Sequence, residues 1–93
     1  MGAMSVGHIC PVCGYDGLFD APWDGSSPSD EICPSCGIHF GFDDGASTDQ
    51  GFRNDAYRAW RENWISSGMR WFSQSRRAPG DWDPGQQLKR VIK

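Results

Sequence analysis

A chain of 93 residues with twelve glycines, six prolines and a net charge of −3 is sized for one small domain, and it has no apolar stretch of membrane-spanning length. All nine Lys and Arg residues follow residue 51, whereas eight of the twelve acidic residues precede it. Because phosphate binding needs Lys or Arg, this division argues against a nucleic-acid contact in the first half. The acidic half predicts either packing on the basic half or contact with a basic, unidentified protein partner.

Residues 1–7 are expected to be disordered or derived from a tag. They lack the basic and apolar regions of a secretory signal, so a cytoplasmic location is expected. In that reducing compartment, paired cysteines are typical of metal sites more than of disulfides.

Residues 8–45 are predicted to form a metal-binding module with two similar loops. The pentapeptide Cys-Pro-x-Cys-Gly occurs at residues 10–14 and 33–37, and its spacing is C-x2-C-x19-C-x2-C. Four thiolates at this spacing can close a tetrahedral shell around one metal ion. The predicted ligands are Cys10, Cys13, Cys33 and Cys36. Short strands are expected beside each loop, with Ile9 and Ile32 next to the metal.

The stretch between and after the loops is predicted to contain a loop and a strand. Residues 20–30 are loop by composition, and Trp23 is expected to fold back as a lid over the metal site or core. Residues 38–42 alternate in polarity, which predicts a strand with Ile38, Phe40 and Phe42 on one face. A possible partner surface comprises Trp23, Asp24, Asp43 and Asp44.

Residues 46–93 are predicted to add two helices that pack on the module as part of the same domain. A capping box over residues 47–50 starts a helix over about 50–67, which ends at Gly68. Its predicted apolar face comprises Tyr57, Trp60 and Trp64, with Arg53, Arg58 and Arg61 on wetter sides. Asp83 and Pro84 start a short helix over about 84–92. The predicted fold class is a small α+β, metal-stapled domain with a rubredoxin-like or zinc-ribbon double β-knuckle and short antiparallel strands.

The order of these motifs resembles the bacterial cysteine-rich CPCC family over about residues 8–92. The resemblance is carried by both Cys-Pro-x-Cys-Gly motifs, by residues 40–44 (Phe-Gly-Phe-Asp-Asp), by residues 68–71 (Gly-Met-Arg-Trp) and by Trp82-Asp-Pro with Gln87-Leu88. The sequence lacks the Cys-Pro-Cys-Cys of the family's name. The resemblance implies a small, cytoplasmic, metal-binding bacterial protein without an assigned enzymatic activity.

The residues favour structural zinc, one ion per chain, and leave iron as an alternative. Tetrahedral sulfur sites suit both metals, and the same loops resemble those of rubredoxin, an electron carrier. Glycine directly after each pair argues against a thiol-redox helix. Four cysteines leave no open position for catalysis, so no enzyme is predicted. The chain is predicted to be a small metal-binding protein that acts through protein–protein interaction. An alternative is that it is an immunity protein that inhibits a basic toxin.

Overall fold

The computed structural model describes residues 7–92, so the predictions for residues 1–6 and for Lys93 lie outside the described residues. Four short elements follow in chain order: β1 (Trp23–Asp24), β2 (Ser27–Pro28), α1 (Gln50–Ser66) and α2 (Pro84–Leu88). β1 and β2 form an antiparallel pair in which Trp23 lies opposite Pro28. The described chain is therefore a small α+β domain in which loops and turns carry much of the structure.

Two isolated antiparallel bridges close the cysteine motifs into loops. His8 pairs with Leu18, and Ile32 pairs with His39. Because side chains alternate along an extended backbone, the cysteine after each isoleucine points inwards and the isoleucine points outwards. Ile9 and Ile32 are 49% and 48% exposed, so the prediction that they lie beside the metal is wrong.

A β-hairpin interrupts the predicted loop over residues 20–30. Gly25 takes a left-handed φ of 62° between β1 and β2, which suits a tight connection. The indole N–H of Trp23 donates to the Asp44 carboxylate at 2.7 Å, and the Arg53 guanidinium lies 4.2 Å from the Trp23 ring centroid. Trp23 therefore packs against the turn and helix that follow and is not a lid over the cysteines.

The predicted strand over residues 38–42 is wrong beyond His39. The buried Asp44 carboxylate accepts hydrogen bonds from the Gly41 and Ala46 N–H groups at 3.1 Å, which holds the chain in a turn. Phe40 stays buried and meets Tyr57 edge to face at a centroid distance of 6.2 Å. Phe42, by contrast, is 71% exposed.

Helix α1 begins and ends at capping residues. Its N-cap is Asp49, whose carboxylate accepts from the Gly51 N–H at 2.9 Å, instead of the predicted capping box from Ser47. At the other end, the Met69 N–H donates to the Trp64 carbonyl at 2.9 Å, and Gly68 has a φ of 107°. This pair forms the expected glycine-dependent C-terminal motif.

The apolar face of α1 packs on the cysteine loops. Tyr57 and Trp64 are buried and Trp60 is partly buried, so the aromatic face is confirmed. Arg53 is buried as well, because its guanidinium donates to the Ser47 carbonyl and to Gln50 and covers the Trp23 ring. The prediction that Arg53 lies on a wetter side is therefore wrong.

Helix α2 is shorter than predicted. Asp83 is its N-cap, as expected, and accepts from the Gln86 N–H at 3.1 Å, but the helix ends at Leu88 and the chain continues in turns. Its buried residues, Gln87 and Leu88, join the core that also holds the four cysteines. Within residues 7–92, no helix is long and apolar enough to cross a membrane.

Candidate metal centre

The four cysteine sulfurs meet at one buried point. All four Sγ atoms lie within 4.8 Å of one another, with Cys10 and Cys36 3.9 Å apart and Cys13 and Cys33 3.7 Å apart. A tetrahedral ion with metal–sulfur bonds of about 2.3 Å has sulfur–sulfur edges of about 3.8 Å. Disulfide bonding needs about 2.05 Å, so the spacing fits a shared metal ion and excludes a disulfide. The donor set fits one metal ion.

The first cysteine loop (residues 10–14) and the second cysteine loop (residues 33–37) have the same local backbone geometry. The Gly14 N–H donates to the Cys10 carbonyl at 2.9 Å, and the Gly37 N–H donates to the Cys33 carbonyl at 2.8 Å. Their φ angles are 85° and 84°, which explains the glycine after each cysteine pair. The repeat in sequence is therefore a repeat in backbone structure.

Side chains from the two helices and their flanks hold the first cysteine loop through its carbonyls. Arg61 donates to the Pro11 and Val12 carbonyls at 2.8 and 2.7 Å, and Arg90 donates to the Gly14 carbonyl at 2.7 Å. Gln87 donates to the Cys13 carbonyl at 3.1 Å. Four thiolates on a divalent ion leave two negative charges, and the two guanidinium groups lie where they oppose that charge.

The second cysteine loop is held mainly by backbone donors. The Phe72 and Ser73 N–H groups donate to the Pro34 carbonyl at 3.0 and 2.9 Å. The indole N–H of Trp60 donates to the Cys36 carbonyl at 2.9 Å. This loop therefore depends on the path of the connector after α1, and no guanidinium contacts its carbonyls among the described residues.

Burial and hydrogen bonding give the thiols different proton affinities. Burial raises the pKa of Cys10 and of Cys36 above the ordinary cysteine value. Hydrogen bonds from Cys10, Cys33 and Cys36 hold the pKa of Cys13 well below its usual range, and the Ser35 hydroxyl lowers it further. Among these three thiols, Cys13 is the one whose thiolate its surroundings favour, whereas burial disfavours the thiolates of Cys10 and Cys36.

The sequence missed the side chains that hold the first cysteine loop. Arg61, Gln87 and Arg90 lie 49 to 76 residues from the carbonyls that they contact, and only Gln87 lies in a stretch that carries the family resemblance. The two histidines, His8 and His39, do not belong to the cysteine cluster.

The predicted partner surface is only partly a surface. Asp24 is exposed, while Trp23 and Asp43 are half-buried. Asp44 is fully buried beneath Trp23, so its assignment to a partner surface is wrong. Phe42 and Phe52 are exposed and lie in the same part of the chain.

Fold and site together define a small cysteine-rich α+β domain whose four thiols can hold one metal ion. The chain is similar to two uncharacterized proteins of Bacillus subtilis (strain 168), YoaQ and YozI. It is 33% identical to YoaQ over 71 residues, covering 67% of this chain and 60% of YoaQ. It is 27% identical to YozI over 73 residues, covering 68% of this chain and 60% of YozI. The chain thus spans about 60% of the length of these curated relatives. No family model matches the chain, and no solved structure matches it.

Proposed function

We propose that the protein binds one structural Zn²⁺ ion through Cys10, Cys13, Cys33 and Cys36 in the cytoplasm. The carrying observation is the convergence of four buried sulfurs within 4.8 Å. Four cysteines close the coordination shell, which supports a structural and not a catalytic role. The paired loops support a rubredoxin-like double knuckle, and their order along the chain supports membership of the CPCC family.

Metal analysis of the purified protein tests this proposal. We expect one zinc per chain, and we expect Cys33→Ala to lose it. A red protein that contains one iron per chain and bleaches with dithionite would establish the alternative, an electron carrier. A metal-free, fully folded wild-type protein would contradict both.

We further propose that the metal centre supports a surface for a basic protein partner. The surface comprises Phe42, Phe52, Asp24, Asp43 and Asp49. Phe42 and Phe52 are 71% and 55% exposed, and no Lys or Arg precedes Arg53, which is itself buried. Exposed aromatic side chains in an acidic part of the chain are suited to a cationic, partly apolar partner. Inhibition of a basic toxin is one function that binding of a basic protein at this surface could serve.

Capture from a host extract with the immobilised protein tests the partner. We expect a basic protein that is retained at low salt, released at high salt, and lost with Phe42→Ser combined with Phe52→Ser. Phe19→Ser is the matched control, because Phe19 is equally exposed but lies beside Arg76. Retention by the double variant, or release of an acidic protein, would contradict the proposed surface.

A further inference from the structure

We propose that Gln87 is a positioning residue of the metal centre, because its side-chain amide links the two cysteine loops and slows metal release. The inference rests on the metal site proposed above. It assigns a role to a residue of α2 that ligates nothing and that lies 74 residues from the loop carbonyl it contacts.

The amide of Gln87 contacts both loops at once. Its Nε2 donates to the Cys13 carbonyl at 3.1 Å and to the Ser35 hydroxyl at 3.0 Å. Cys13 belongs to the first cysteine loop and Ser35 to the second. Ser35 is fully buried and Gln87 is 5% exposed, so water cannot readily replace either bond.

The third contact of the amide determines its orientation. The indole N–H of Trp82 donates to Gln87 Oε1 at 2.8 Å. Because an indole nitrogen can only donate, this contact identifies the oxygen end of the amide and leaves the Nε2 end for the loops. Both ends of the side chain are therefore held in place.

The same helix meets the first loop closely through its backbone. A Cβ atom on Gly14 would collide with the Gln87 carbonyl oxygen, so this contact requires glycine. Groups that hydrogen-bond around the ligands of a metal commonly change its affinity by about 10–100-fold, because they keep the ligands in place. The link should act on the step in which the two loops separate and release the ion.

The experiment measures the first-order transfer of zinc from the loaded full-length protein to an excess of a chromophoric chelator. Gln87→Met keeps the side chain's length and removes all three bonds. Gln87→Glu keeps an acceptor for Trp82 and removes the Nε2 donor. Gln86→Met is the matched control, because the neighbouring Gln86 is exposed.

We expect both Gln87 variants to release zinc about 10–100 times faster than wild type, and Gln86→Met to release it at the wild-type rate. The Co²⁺-loaded Gln87 variants should also show a shifted thiolate-to-metal absorption band, which a loss of stability elsewhere would not produce. Gln87→Glu keeps the measurement decisive if Gln87→Met does not fold.

Wild-type release rates and an unshifted cobalt band in a folded Gln87 variant would overturn the link while leaving the metal site in place. Faster release that only matches the loss of stability against urea, with an unshifted band, would overturn it as well. Wild-type protein that holds no metal would instead contradict the proposed metal centre itself, so the two failures are distinguishable.

Discussion

The two cysteine loops have the same sequence pattern and backbone geometry but different supports. The first is held through its carbonyls by Arg61, Gln87 and Arg90, whereas the second is held by the backbone at residues 72–73 and by Trp60. A repeated motif therefore determines a repeated local structure without determining what surrounds it. The difference predicts that equivalent substitutions in or around the two loops lower stability by unequal amounts. Removal of a metal-binding cysteine is the exception, because both loops supply cysteines to the same site.

Removing one ligand from either loop should have the largest effect. Cys13→Ala and Cys33→Ala each remove one of four ligands, so both should lose the metal and with it about 10 kcal/mol or more of binding free energy. Metal content and circular dichroism measure the result. The comparison predicts equal losses, and a Cys33→Ala protein that keeps its metal and full helicity would refute the shared site.

Acid should weaken metal binding through one thiol in each loop. Burial raises the pKa of Cys10 in the first loop and of Cys36 in the second, so both stay protonated at neutral pH without metal. Because metal binds thiolates, uptake must release these protons, so apparent affinity should rise with pH by about 10-fold per pH unit for each proton released. Chelator competition at several pH values measures the slope, and an affinity independent of pH would contradict the assignment.

Alanine in place of the loop glycines should separate the two loops. Both glycines have left-handed φ angles, which cost a substituted residue about 1–2 kcal/mol. A Cβ on Gly14 would also collide with the Gln87 backbone, whereas on Gly37 it would meet the Phe72 ring at 2.6 Å. Phe72 is an exposed side chain and can move. Urea unfolding should therefore show a larger loss for Gly14→Ala, and equal losses would contradict the different supports.

Removing one side chain that supports each cysteine loop should lower the free energy of unfolding by a smaller amount. Arg61→Met deletes two charge-assisted bonds to the first loop, and Trp60→Phe deletes one neutral bond to the second. We expect losses of about 2–4 kcal/mol and about 1 kcal/mol in the urea stability of the metal-loaded protein. Arg58→Met is the control, since its surface ion pair with Asp55 contributes less. A smaller loss for Arg61→Met than for Trp60→Phe would reverse the comparison.

Local signals determined much of the structure from the sequence alone. The spacing of the four cysteines predicted the buried sulfur cluster, and the glycine after each pair argued against a helix there and has a left-handed φ. The helical spacing of Tyr57, Trp60 and Trp64, together with Gly68, predicted α1. Asp83 with Pro84 predicted the start of α2. Each of these signals lies within a few residues of what it determines, which is why it can be read from the chain.

Only the tertiary structure decided which groups surround the metal centre. Burial of Asp44 and Arg53 beneath and beside Trp23 turns a predicted strand and an expected surface into a packed turn. The bonds from Arg61, Gln87 and Arg90 to the first loop join groups 49 to 76 residues apart. Such contacts depend on how the helices pack, because a carbonyl can accept from any donor that the fold brings within reach.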